Sequence, residues 1–66
     1  MYGERLKELR EASQMSQAQL ARNLGTNQQS ISRYETEQIE PNIEMIIKIC
    51  DFFKVSADIL RGRTKY

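Results

Sequence analysis

The sequence predicts an all-α fold of five short helices. Three observations carry that expectation. Apolar residues recur three and four positions apart instead of alternating. Ser16, Asn27, Asn42 and Ser56, all residue types that cap helices, each stand immediately before such a stretch. Gly25, Pro41 and Gly62 punctuate the chain where a helix must stop or cannot begin.

The first helix is expected from about Gly3 to Ser13. Leu6 and Leu9 are three apart, Tyr2 lies a turn earlier, and charged residues fill the other faces. The second opens with Ser16 as cap and Gln19 three residues on, the pattern of a capping box. Met15 and Leu20 can staple its entry, Leu20, Ala21 and Leu24 form its buried stripe, and Gly25 ends it. The third runs from a cap at Asn27 to about Thr36. Its Ile31 and Tyr34 share one face, with Glu35 at the edge, while Gln28, Gln29, Ser32 and Arg33 take the other. After Pro41, Asn42 caps a fourth helix that reaches Phe53, with Ile43, Ile46, Ile47, Cys50 and Phe53 expected on one face. Ser56 caps a short fifth helix, Ala57 to Arg61, closed by Gly62. Residues 63–66 read as a frayed tail, so the folded unit is expected over residues 1–62.

A chain of 66 residues is one domain with a small core. Such domains compensate with disulfides, metals, self-association or good helix packing. With one cysteine, Cys50, and no histidine, neither an internal disulfide nor a zinc site is expected, and no cofactor is implied. Cys50 reads as a core filler suited to a reducing, cytoplasmic setting. No apolar run resembles a signal peptide or a membrane span.

Net charge is +1, but its distribution is uneven. Residues 12–34 contain Arg22 and Arg33 and no acid. Residues 35–58 contain six acids against two lysines, and residues 59–66 contain only bases. The acid-free stretch covers the second and third helices. A tight helix pair whose second member offers amides and an arginine at its tip is built to read bases in a DNA groove. The acidic stretch is expected to face away from DNA.

The pattern resembles the DNA-binding domains of the Cro and lambdoid-repressor helix-turn-helix family, from about Glu4 to Leu60. The carriers are Arg5-Leu6-Lys7-Glu8-Leu9-Arg10, Ser16-Gln17-Ala18-Gln19-Leu20-Ala21, Leu24-Gly25, Ile31-Ser32-Arg33-Tyr34-Glu35, Pro41, Val55-Ser56 and Ile59-Leu60. The resemblance implies a sequence-specific transcription regulator, a repressor, bound as a homodimer to a short palindromic operator in double-stranded DNA. It implies that Gln28, Gln29, Ser32 and Arg33 read bases. A glutamine amide can pair in bidentate fashion with adenine, and an arginine with guanine. Gln17, Asn27, Ser30 and Arg10 fall at phosphate-contacting positions, and Arg10 with Glu35 where the family forms an ion pair.

The sequence departs from the family pattern in three places. Glu37 stands where a glycine is usual, Thr36-Glu37-Gln38-Ile39-Glu40 replaces a basic segment, and Lys54 replaces a glycine before Val55. The first two weaken the expected phosphate contact of that loop, and with it the salt-dependent, non-specific share of affinity.

Simpler readings stand beside these. Gln28, Gln29 and Ser32 also fit a solvated helix face. Arg33 could pair with Glu37 one turn on. On the fourth helix, Met45, Ile49 and Phe52 form a second apolar stripe, which either the neighbouring helices or a second copy must cover. Ile49 is expected in the core. Met45, Phe52, Ile59 and Leu60 are the dimer-interface candidates. An alternative function is a protein-interaction module, such as an antitoxin-like adaptor. An enzyme is not expected, because no nucleophile–base pair, metal set or phosphate loop is present, and neither is a small-molecule ligand.

Overall fold

The computed structural model describes residues 2–62, in which five helices follow one another. They are α1 (Gly3–Ala12), α2 (Gln17–Leu24), α3 (Gln28–Glu35), α4 (Ile43–Phe53) and α5 (Ala57–Leu60). No strand occurs among the described residues, and no helix there is long and apolar enough to cross a membrane. The tail expected over residues 63–66 lies outside the described residues.

Four of the five helices begin at a side-chain cap foreseen from the sequence. Ser16 Oγ accepts from the Gln19 amide at 3.1 Å, while Gln19 Oε1 accepts from the Ser16 amide at 2.8 Å, closing the capping box. Asn27 Oδ1 accepts from Ser30 N and Asn42 Oδ1 from Met45 N, both at 2.8 Å. Ser56 Oγ accepts from Ile59 N at 3.2 Å. Gly25 ends α2 in the left-handed region at φ +72°, as the tight turn into α3 requires.

Leu6, Leu20, Ala21, Leu24, Ile31, Ile49 and Leu60 form the core. Tyr2, Leu9, Met15, Tyr34, Met45, Ile46, Cys50 and Phe53 pack around them. The core therefore draws on every helix, and α2 and α3 are held against one another by Leu20, Ala21, Leu24 and Ile31.

Two expectations for the second half are corrected. The sequence pattern places Ile43 and Ile47 on one face with Ile46, Cys50 and Phe53, yet they are 75% and 55% exposed while the other three pack on the core. The face that packs inward is centred on Ile49, with Met45, Ile46, Cys50 and Phe53 on either side. At 3.6 residues per turn, Ile47 then points to the far side of the helix and Ile43 to its flank. Leu60, taken as an interface candidate, is fully buried, because the one turn of α5 folds it back beneath α4.

Gly3 was not singled out in the sequence, and it fixes how α1 meets α3. It is buried, and a Cβ there would collide with the main-chain carbonyl oxygens of Tyr34 and Glu35. The start of α1 thus rests directly on the end of α3, at a distance only glycine permits.

Candidate nucleic-acid interface

Helix α3 carries two opposed faces. Ile31 is fully buried and Tyr34 packs against the core. Gln28 and Gln29 occupy the first two helical positions and are exposed. Neither side chain has a partner among the described residues, so both amides keep their full set of donors and acceptors for an outside group. Arg33, one turn on, is also exposed and forms no ion pair with Glu37. Ser32 is half-buried, and its main-chain carbonyl accepts from the Thr36 hydroxyl at 2.9 Å. No acid lies between Ala12 and Tyr34, and the exposed charged side chains of α2 and α3 are Arg22 and Arg33, both positive.

The four residues expected at phosphates are placed less uniformly. Asn27 spends its side-chain oxygen on the cap of α3 and keeps its Nδ2 donor. Ser30 is half-buried one turn into α3. Gln17 is the first residue of α2, and its Nε2 donates to Glu35 Oε1 at 3.1 Å.

Arg10 is found in the ion pair, turned inward. Its Nε donates to Glu35 Oε2 at 2.6 Å, its Nη2 to Glu35 Oε1 at 3.1 Å, and its Nη1 to the Met15 carbonyl at 2.8 Å. The two side chains are 11% and 3% exposed. All three guanidinium nitrogens are engaged within the chain, which favours the scaffold role over a phosphate contact. The hydrogen bonds that Arg10 donates to the Glu35 carboxylate hold its guanidinium above its ordinary pKa, against the opposing effect of burial.

Glu35 therefore joins three helices, since it receives Arg10 from α1 and Gln17 from α2 while belonging to α3. The Arg10–Glu35 half of this joint was foreseen. The Gln17 half was not, and nothing in a linear sequence marks it, because a glutamine at a helix start has many possible partners. Two of the departures from the family pattern fall just after α3 and at the end of α4. Glu37 and Lys54 both adopt left-handed conformations, at φ +65° and +57°, at the two positions where the family pattern carries glycine.

Of the dimer candidates other than Leu60, Phe52 is 39% exposed and meets Phe53 edge-on, with ring centroids 5.0 Å apart. Met45 and Ile59 are half-buried.

The Helix-turn-helix family model matches residues 6–60. The chain is 33% identical over 64 residues to the uncharacterized HTH-type transcriptional regulator YobD of Bacillus subtilis, covering 97% of this chain and 57% of YobD. It is 38% identical over 60 residues to the cryptic phage CTXphi transcriptional repressor RstR of Vibrio cholerae, covering 91% of this chain and 54% of RstR. The chain thus spans about half the length of these curated relatives. Among solved structures it is similar to the P22 c2 repressor protein in complex with synthetic operator 9T. There the TM-score is 0.85 and the identity 30%, with 91% of each chain covered. With five helices in this arrangement and a family match across nearly all of them, the chain belongs to the Helix-turn-helix family.

Proposed function

We propose that this chain is a sequence-specific DNA-binding transcription regulator, a repressor, that reads a short palindromic operator in the major groove as a dimer. One observation carries the reading. Gln28 and Gln29 project unpartnered from the start of a helix whose Ile31 is pinned in the core. Their amides supply the acceptor and donor that complement adenine's N6 donor and N7 acceptor, and Arg33 adds a guanine or phosphate contact. Asn27, Ser30 and the start of α2 at Gln17 flank them as backbone contacts, which set register without carrying sequence information. The similarity to a repressor crystallised with its operator supports the same reading. The test is selection of bound duplexes from a random pool, followed by Gln28→Ala/Gln29→Ala. The double variant should lose about 1–3 kcal/mol per base contact and relax base preference. Unchanged affinity and selectivity would overturn the proposal.

For the dimer, Phe52, Met45 and Ile59 supply the apolar contact. Sedimentation equilibrium should then show a concentration-dependent dimer that Phe52→Glu dissociates.

A second reading, a protein-interaction module of antitoxin or adaptor type, is favoured by the exposed isoleucines Ile39, Ile43 and Ile47 amid Glu40 and Glu44. A gel shift with mixed duplex DNA at low salt separates the two. Absence of any shift at micromolar protein selects the second.

A further inference from the structure

We propose that Glu35 is a positioning residue for backbone recognition, acting through Gln17. The inference rests on the DNA-binding reading above and names a residue that reading does not use. Gln17 opens α2, and the capping box occupies the amides of Ser16 and Gln19. The main-chain N–H groups of Gln17 and Ala18 have no acceptor among the described residues. They form the positive end of the helix dipole, the end at which a phosphate is held.

The side chain of Gln17 stands beside that end with a choice to make. A primary amide can present either its oxygen or its nitrogen, and in isolation it flips freely. Glu35 removes the choice. A carboxylate only accepts, so the atom facing Glu35 Oε1 must be Nε2, and it lies 3.1 Å away. Arg10 locks the carboxylate by two hydrogen bonds, and the Met15 carbonyl locks Arg10. Nε2 carries two hydrogens. One is spent on Glu35, and the second stays available as a donor beside the free amides of the same helix turn. Glu35 thus keeps a donor where a phosphate needs one, although its own charge would repel that phosphate. Arg10 offsets that charge.

A double-mutant cycle on operator affinity tests this, with Gln17→Ala, Glu35→Gln and the double variant measured by fluorescence anisotropy below the melting range of the least stable variant. Glu35→Gln should weaken binding about tenfold with Gln17 present, the scale of a hydrogen bond to a charged group. In the Gln17→Ala background it should weaken binding no further. A purely architectural Glu35 would cost the same in both backgrounds, and that result overturns the proposal. Should Glu35→Gln not fold, the wild type decides. The cross-hydrogen-bond NMR coupling from Gln17 Nε2 to the Glu35 carboxylate carbon should persist when operator is added. Its loss on binding would mean that Glu35 releases Gln17, and would equally overturn the proposal. If the wild type retains no duplex from the random pool, the DNA-binding reading itself falls and this inference falls with it.

Discussion

Arg10 and Glu35, 25 residues apart in sequence, meet through two hydrogen bonds of 2.6 and 3.1 Å in a nearly dry contact. Removing one partner leaves the other charge buried without compensation, which costs about 3–5 kcal/mol. That is comparable to the whole stability of a domain this small. Arg10→Ala should therefore be largely unfolded at 25 °C by circular dichroism at 222 nm. A urea midpoint close to that of the wild type would refute the burial argument.

Two glycines should respond differently to a single methyl group. At Gly3 the new Cβ would strike backbone, with Glu35 O only 2.7 Å away, so α1 must lift off α3. Gly3→Ala is expected to cost about 3 kcal/mol, the upper part of the overpacking range. At Gly25 the nearest atom is the Lys48 ammonium at 3.9 Å, and only the left-handed φ is penalised. Gly25→Ala should cost about 1–2 kcal/mol. Thermal melts of the two variants would show the order, and the reverse order would contradict the close approach at Gly3.

Lys54 holds a left-handed conformation that glycine adopts without strain. Lys54→Gly should gain about 0.5–1 kcal/mol after the extra freedom of glycine in the unfolded chain is deducted, raising Tm by several degrees. Glu37 also has a positive φ but is engaged by another group, so Glu37→Gly should gain less. A drop in Tm for Lys54→Gly would show that its side chain contributes more than its backbone costs.

Burial, then the nearby Asp51 carboxylate, push the Cys50 thiol above its ordinary pKa. The fold favours the protonated form, so this contribution is complete below the unfolded thiol value of about 8.5 and is lost as pH rises through the folded value. The stability difference between wild type and Cys50→Ala should shrink between pH 8 and pH 10. The folded thiol should also react with a disulfide reagent at pH 8 more slowly than the urea-unfolded chain. Equal rates would place Cys50 outside the protected environment.

What the sequence made legible was local chemistry. Ser16, Asn27, Asn42 and Ser56 announced their helices because a cap bonds its own chain three residues on. The outward placement of Gln29 followed from its spacing against Ile31 and Tyr34, whereas Gln28, three residues before Ile31, is exposed as the first residue of its helix. What stayed hidden depended on packing across distance. Helix α4 has isoleucine at positions 43, 46, 47 and 49, and periodicity alone fits more than one inward face. The choice of Ile49 over Ile47 is made by where α2 and α5 lie, not by α4 itself. Leu60 looked like a surface anchor because one helical turn is too short to show which side it buries. Gly3 and the Gln17–Glu35 bond carry no local signature, since each is defined by the end of a helix far along the chain.

A single carboxylate tied to three helices also governs how the molecule comes apart. Because α1 and α2 are both tethered to the last residue of α3, opening either one disturbs the carboxylate to which the other is bonded. Native-state hydrogen exchange should then report one shared opening free energy for the protected amides of these three helices, not a ladder of separate ones. The surface proposed to meet DNA would thus hold its shape until the whole unit unfolds.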